Sequence, residues 1–113
     1  MSESCPFCRI VRKEIQATEV YRTPSLVAIR DISPQAPNHI LIIPVEHIGS
    51  LNEVEDGSLL GELLLAARDI ARMEVIDLRG YRIVINTNSD GGQSVPHLHV
   101  HVLGGRVMEW PPG

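Results

Sequence analysis

Two periodicities divide the chain. Between residues 57 and 75, Leu59, Leu60, Leu63, Leu64, Ala66, Ala67, Ile70 and Ala71 recur along one helical face, with Asp56 or Ser58 placed to cap its start, so a long amphipathic helix is predicted. Phe7, Ile10, Val11 and Ile15 form a shorter stripe of the same period, and a short N-terminal helix is expected there. The β-prone runs 19–22 and 26–30 flank Thr23-Pro24-Ser25, a turn signal, and read as an antiparallel hairpin. Residues 39–44 are nearly all apolar, as in a strand buried on both faces, and Pro44 closes that run.

After Gly80, residues 81–86 read as another strand by their β-branched content. The polar, Gly-rich segment 87–96 then leads into His97-Leu98-His99-Val100-His101-Val102-Leu103, a strict alternation that stops at Gly104-Gly105 and is predicted to be the last strand. The expected class is α+β: one domain over residues 1–113, with five strands in a mainly antiparallel sheet, one long helix covering a face, and a short N-terminal helix.

Composition narrows the partners. The net charge of -4 supplies no basic face for a nucleic acid, so a small substrate is expected. With 4% aromatic residues, the pocket walls must be largely aliphatic. No stretch approaches the roughly 20 apolar residues of a membrane span, and residues 1–5 carry no basic patch ahead of an apolar run, so a soluble cytoplasmic protein is the expectation.

Alternation puts His97, His99 and His101 on one face and turns Leu98, Val100 and Val102 toward the long helix. Imidazoles two residues apart on a strand stand about 6.6 Å apart. Two imidazolium ions at that distance repel by roughly 2.5 kcal/mol at an effective dielectric of about 20. A mixed state therefore follows, in which a neutral ring attacks phosphorus and a charged neighbour stabilises the phosphoryl oxygens. The loop 89–94 supports this, with Gly91 and Gly92 able to approach an anion and donors at Gln93 and Ser94. From the residues alone, a metal-dependent hydrolase and a structural role for the histidines stay open beside nucleophilic catalysis.

The pair Cys5 and Cys8 reads as a redox motif, as half of a metal knuckle, or as two free thiols. A redox motif of this spacing follows a buried strand, and only four residues precede Cys5. A knuckle needs two more ligands, for which His39, His47 and the three alternating histidines are candidates. His39 itself has no evident chemical companion along the chain and reads as structural.

The run His97 to Leu103 resembles the signature of the histidine triad family. The likeness spans nearly the whole chain, through residues 31–37, Ile43-Pro44 with His47, residues 90–94, residues 103–105 and the ending Trp110-Pro111-Pro112-Gly113, and is similar to the nucleoside phosphoramidase branch. That resemblance implies hydrolysis of purine nucleoside 5′-phosphoramidates to a nucleoside monophosphate and an amine. His99 would be the nucleophile, with His97, His101 and Ser94 completing the catalytic set. Gln93, Ser94, Asn86 and His101 would surround the phosphate, Asp31 would hold the ribose hydroxyls, and Phe7, Ile10, Ile29 and Ile32 would enclose the base.

The resemblance further implies a structural zinc on Cys5, Cys8, His47 and His97, although many relatives in the branch lack the cysteines. No cofactor would be needed for catalysis. It also implies a homodimer whose two sheets join into one of ten strands, with Trp110 reaching toward the partner's site. Dinucleoside polyphosphate hydrolysis and a nucleotide-binding scaffold with incidental catalysis are the alternatives.

Overall fold

The structure, a computed structural model, describes residues 4–113. Residues 1–3, part of the segment read above for a leader, lie outside the described residues. Helix α1 (Pro6–Val11) is followed by strands β1 (Glu19–Arg22), β2 (Leu26–Arg30) and β3 (Asn38–Pro44), a 3-10 turn at Leu51–Glu53, helix α2 (Gly57–Met73), and strands β4 (Tyr81–Val84) and β5 (Val100–Gly104). The strands form one sheet in the order β1-β2-β3-β5-β4 with every neighbouring pair antiparallel, so the α+β expectation holds. No helix among the described residues is long and apolar enough to cross a membrane.

The unbroken apolar run of β3 is explained by burial on both of its faces. Ile40 and Ile42 join Leu63, Ala67, Ile70 and Ala71 of α2 in one cluster, together with Leu98, Val100 and Val102 as alternation requires. Leu41 and Ile43 point the other way, to a smaller cluster with Val27, Ile29, Cys5, Phe7 and Cys8. Cross-strand partners share a side of the sheet, and Leu41 pairs with His101, so the histidines belong to the α1 side.

Helix α2 begins where Asp56 accepts the Ser58 N–H and ends at Met73, two residues short of the expected limit. Val75, at φ 58°, carries the chain out of the helix. Helix α1 is shorter than its stripe suggests. The Glu14 N–H bonds the Arg9 carbonyl and the Lys13 N–H that of Ile10, a Schellman closure with Lys13 at φ 63° where glycine would be usual, so Ile15 lies beyond the helix.

The last strand also differs from the prediction, because β5 begins at Val100 and leaves His97, Leu98 and His99 outside the ladder. Continuing past the Ile42–Val100 pair would bring these residues beside Ile43 and Pro44. Pro44 has no N–H to offer, and its carbonyl already accepts from His97 Nε2 at 2.9 Å, while the Leu98 N–H goes to the Ile48 carbonyl at 2.7 Å. Strand β4 likewise stops at Val84, opposite His101, instead of reaching Asn86.

Candidate active site and metal site

Two side-chain clusters meet at His97. In the first, Cys5 Sγ lies 3.3 Å from His97 Nδ1, Cys8 Sγ lies 3.2 Å from His47 Nδ1 and 3.5 Å from His97 Nδ1, and the two Nδ1 atoms are 3.2 Å apart. A tetrahedral zinc shell, with Zn–N about 2.0 Å and Zn–S about 2.3 Å, separates neighbouring donors by roughly 3.3–3.7 Å. The four donors therefore fit such an ion. The second observation in favour is the tautomer of His97: donating its Nε2–H to the Pro44 carbonyl leaves an Nδ1 lone pair facing the thiols. Burial and the neighbouring Cys5 push the Cys8 thiol up, against a smaller opposing effect of Arg12.

In the second cluster, each ring is held by a specific partner. His99 Nδ1 donates to the His97 carbonyl at 2.7 Å, so the lone pair of the neutral ring is on Nε2. His39 Nδ1 accepts the Gln35 backbone N–H at 3.0 Å, which places the proton of its neutral ring on Nε2. That Nε2 is 2.9 Å from His101 Nδ1 and 3.4 Å from Asp31 Oδ2. His101 thus accepts at Nδ1 and keeps its own proton on Nε2. Because His39 Nε2 is a donor, the grouping of Asp31, His39 and His101 is a proton-holding chain and not a second metal shell.

Two expectations change here. His39 is not merely structural: it has two chemical companions, Asp31 and His101, the latter 62 residues away along the chain. Nor do the surroundings of His101 favour a charged ring beside His99. Burial, with His99 and His39 adding to it, lowers His101 to about 4 against the partial counter-effect of Asp31. Burial also lowers His39 and His97. The ring centroids of His99 and His101 are 5.0 Å apart, closer than an extended strand would set them, because His99 lies before the ladder. Burial thus favours the neutral ring of His101, with its Nε2–H as a donor.

His99 and His101 open into a cavity of about 360 Å³. Its wall includes Phe7, Ile10, Ile29, Asp31, Ile32 and Ser94, all expected there, as well as Ile15, Gln16, Ala17, Arg30, Leu41 and Val95, which were not. The missed residues come from the segment after α1, from strands β2 and β3 and, for Val95, from the loop before β5, and carry no motif of their own. Phe7 stands edge-on to His99 with centroids 4.9 Å apart. Asp31 accepts the Ser33 N–H through Oδ1 at 2.7 Å, and a carboxylate has further acceptor capacity for a diol.

Asn86 and Gln93 are not brought to this wall. Asn86 lines a separate surface hollow with Trp110, Arg82 and Leu103. The Gln93 amide is taken up by backbone: Nε2 donates to the Gly49 and Val95 carbonyls at 2.8 and 2.9 Å, and Oε1 accepts the Asn88 N–H at 2.9 Å. Gln93 therefore shapes the loop that presents Ser94. Gly91 serves the same loop, since a Cβ there would lie 2.5 Å from the Thr87 carbonyl oxygen, and Gly92 sits at φ 78°.

A small antiparallel sheet with three alternating histidines, two of which open on a cavity of about 360 Å³ while the third turns to a Cys–His cluster, defines a class of protein. Residues 12–108 match the HIT domain, and the chain belongs to that family. It is 50% identical to a 14 kDa zinc-binding protein of Zea mays over 95% of this chain and 86% of that one. The crystal structure of a HIT family hydrolase from Legionella pneumophila is 50% identical and superposes with a TM-score of 0.95, covering 97% of this chain and 100% of that one. A zinc-bound histidine triad family protein from Mycobacterium smegmatis is 30% identical, with a TM-score of 0.85 over 97% of this chain and 81% of that one.

Proposed function

We propose that the protein is a nucleotide hydrolase that cleaves the phosphorus–nitrogen bond of purine nucleoside 5′-phosphoramidates. The observation that carries this reading is the His99 Nδ1–H bond to the His97 carbonyl, which leaves Nε2 as a nucleophile in a cavity shared with His101 and Ser94. The Legionella relative is named a hydrolase, which supports the reaction class.

The phosphoryl group would lie against His101 and Ser94, and its negative charge would offset the burial that disfavours a charged His101, so that ring would take up a proton at Nδ1 on binding as the His39 Nε2–H turns to Asp31 Oδ2, 3.4 Å away. His99 Nε2 then forms the bond to phosphorus as the P–N bond breaks, and the departing amine carries off the proton from His101 Nε2. Water, deprotonated by the now neutral His101, attacks the nucleotidyl-histidine and releases the monophosphate. His39 and Asp31 orient the His101 ring and accommodate the change of proton at its Nδ1, while Phe7, Ile10, Ile29 and Ile32 enclose the base and Asp31 faces the ribose.

Cys5, Cys8, His47 and His97 would hold a zinc ion. Four protein donors complete a tetrahedron, so the ion would tie the N-terminal segment to the catalytic face. The naming of the maize and mycobacterial relatives as zinc-binding and Zn-bound supports this. The free edge of β4 is the place for a second copy to extend the sheet to ten strands, with the 82% exposed Trp110 directed to the partner's site. The protein would work in the cytoplasm.

The test is mass spectrometry of wild type and His99→Ala after a rapid, acid-free quench with an adenosine phosphoramidate. A nucleotidyl adduct at His99 in wild type alone supports the reading. Turnover with no adduct at any quench time turns it toward a metal-activated water, and nucleotide binding without turnover toward a scaffold.

A further inference from the structure

The two clusters are joined by Phe7. This residue lies between Cys5 and Cys8 in the chain, is 8% exposed, and forms part of the nucleotide cavity. Its ring meets His97, a metal ligand, at 5.8 Å and His99, the nucleophile, at 4.9 Å, in both cases edge-on. Cys5 is also the N-cap of α1, its sulfur accepting the Cys8 N–H at 3.4 Å. A six-residue helix has little stability alone, so the orientation of Phe7 and Ile10 depends on what fastens its first turn. His97 supplies a second link, since its ring faces the thiols and its carbonyl holds His99. The cluster is not sealed: Cys5 and Cys8 are buried, but His47 is exposed on its outer side.

We propose that this cluster is an oxidation-sensitive clasp on the nucleotide pocket. With metal bound, Cys5 and Cys8 fix α1 so that Phe7 walls the cavity against His99. When a peroxide oxidises the two sulfurs, the metal leaves, Phe7 loosens and nucleotide binding weakens. The two thiolates and one hydrogen peroxide take up two protons from solvent; the S–S bond forms, the O–O bond breaks, each sulfur gives up one electron, and two waters depart. The metal is freed because a disulfide offers it no thiolate. This inference rests on the nucleotide-pocket and metal assignments above and adds their coupling.

The experiment treats the zinc-loaded full chain with hydrogen peroxide and follows three quantities: intact mass for the disulfide, released zinc with a chromogenic chelator, and the affinity for adenosine monophosphate by calorimetry. The expected result is one zinc released per disulfide and an affinity about tenfold weaker, the upper size of an aromatic edge contact, restored by dithiothreitol with zinc. Zinc release with unchanged affinity overturns the clasp, as does a metal centre that peroxide leaves intact. An untreated protein that neither binds adenosine monophosphate nor turns over phosphoramidate would instead defeat the nucleotide reading. Because cysteine variants risk misfolding, Phe7→Leu provides the second arm: it should keep its zinc, bind nucleotide more weakly from the outset, and lose the response to peroxide. A full tenfold response in Phe7→Leu would overturn the role given to that ring.

Discussion

The Nδ1–H of His99 donates to the carbonyl of His97 across 2.7 Å, between residues two apart in sequence. The bond exists because the two residues stand before the first rung of β5, where the His97 carbonyl is not claimed by a neighbouring strand. It orients the ring that the proposed reaction needs. Replacing His99 with Ala should lower phosphoramidate turnover by at least about a thousandfold, as removal of a nucleophile does in comparable hydrolases. The affinity for adenosine monophosphate, measured by calorimetry, should change only a few-fold.

The Gln93 amide and the Ser94 hydroxyl sit side by side in sequence but should respond oppositely to truncation. Gln93→Ala removes three hydrogen bonds to backbone around the loop and should destabilise the protein by about 1–3 kcal/mol in urea titration. Ser94→Ala should leave stability within about 0.5 kcal/mol of wild type, because Ser94 is exposed. Turnover should nevertheless fall by roughly tenfold or more if its hydroxyl binds the phosphoryl group.

The histidines set a pH dependence. His101 falls from an ordinary 6.5 to about 4 in the folded state, chiefly through burial, and His39 shifts the same way. Below 6.5 the unfolded chain binds protons that the folded chain refuses, so stability falls as the pH drops from about 6.5 toward 4 and this contribution levels off below that. Urea midpoints of the metal-free protein at pH 7, 6 and 5 should decline in that order. In His101→Asn the decline should be shallower.

Ile32 is 95% exposed yet stands at the lip of the cavity. Ile32→Ser should have almost no effect on stability, since the side chain is already in water. It should raise the KM for the phosphoramidate several-fold while leaving kcat nearly unchanged, the pattern of a contact made equally in the bound and transition states.

His39 should act through His101. In His39→Phe the ring loses both the acceptor for the Gln35 N–H and the donor to His101, so turnover should drop by about ten- to a hundredfold. The pH–rate profile should shift with it, because the tautomer of His101 is no longer held. An unshifted profile with only lower thermal stability would mark His39 as structural.

Much of the fold was legible because local patterns specify local structure. The helical stripe of α2, the Thr23-Pro24-Ser25 turn and the apolar run of β3 each state the burial of their own residues, and the five-stranded sheet follows from assembling them. The cavity residues Phe7, Ile10, Ile29, Asp31 and Ile32 and the four members of the Cys–His cluster were within reach of motif and resemblance. What the pattern could not contain was the identity of hydrogen-bond partners brought together by chain closure.

His39 meets His101 only because β3 pairs with β5, and Gln93 meets the Gly49 carbonyl only because the loop before β5 folds over the segment after β3. The start of β5 at Val100 depends on the missing N–H of Pro44 and on its carbonyl being taken by His97, a relation across 53 residues. Alternation along a strand establishes which residues share a face. Which ring nitrogen keeps its proton is decided by the atoms opposite it, and those are set only when distant segments close into one sheet.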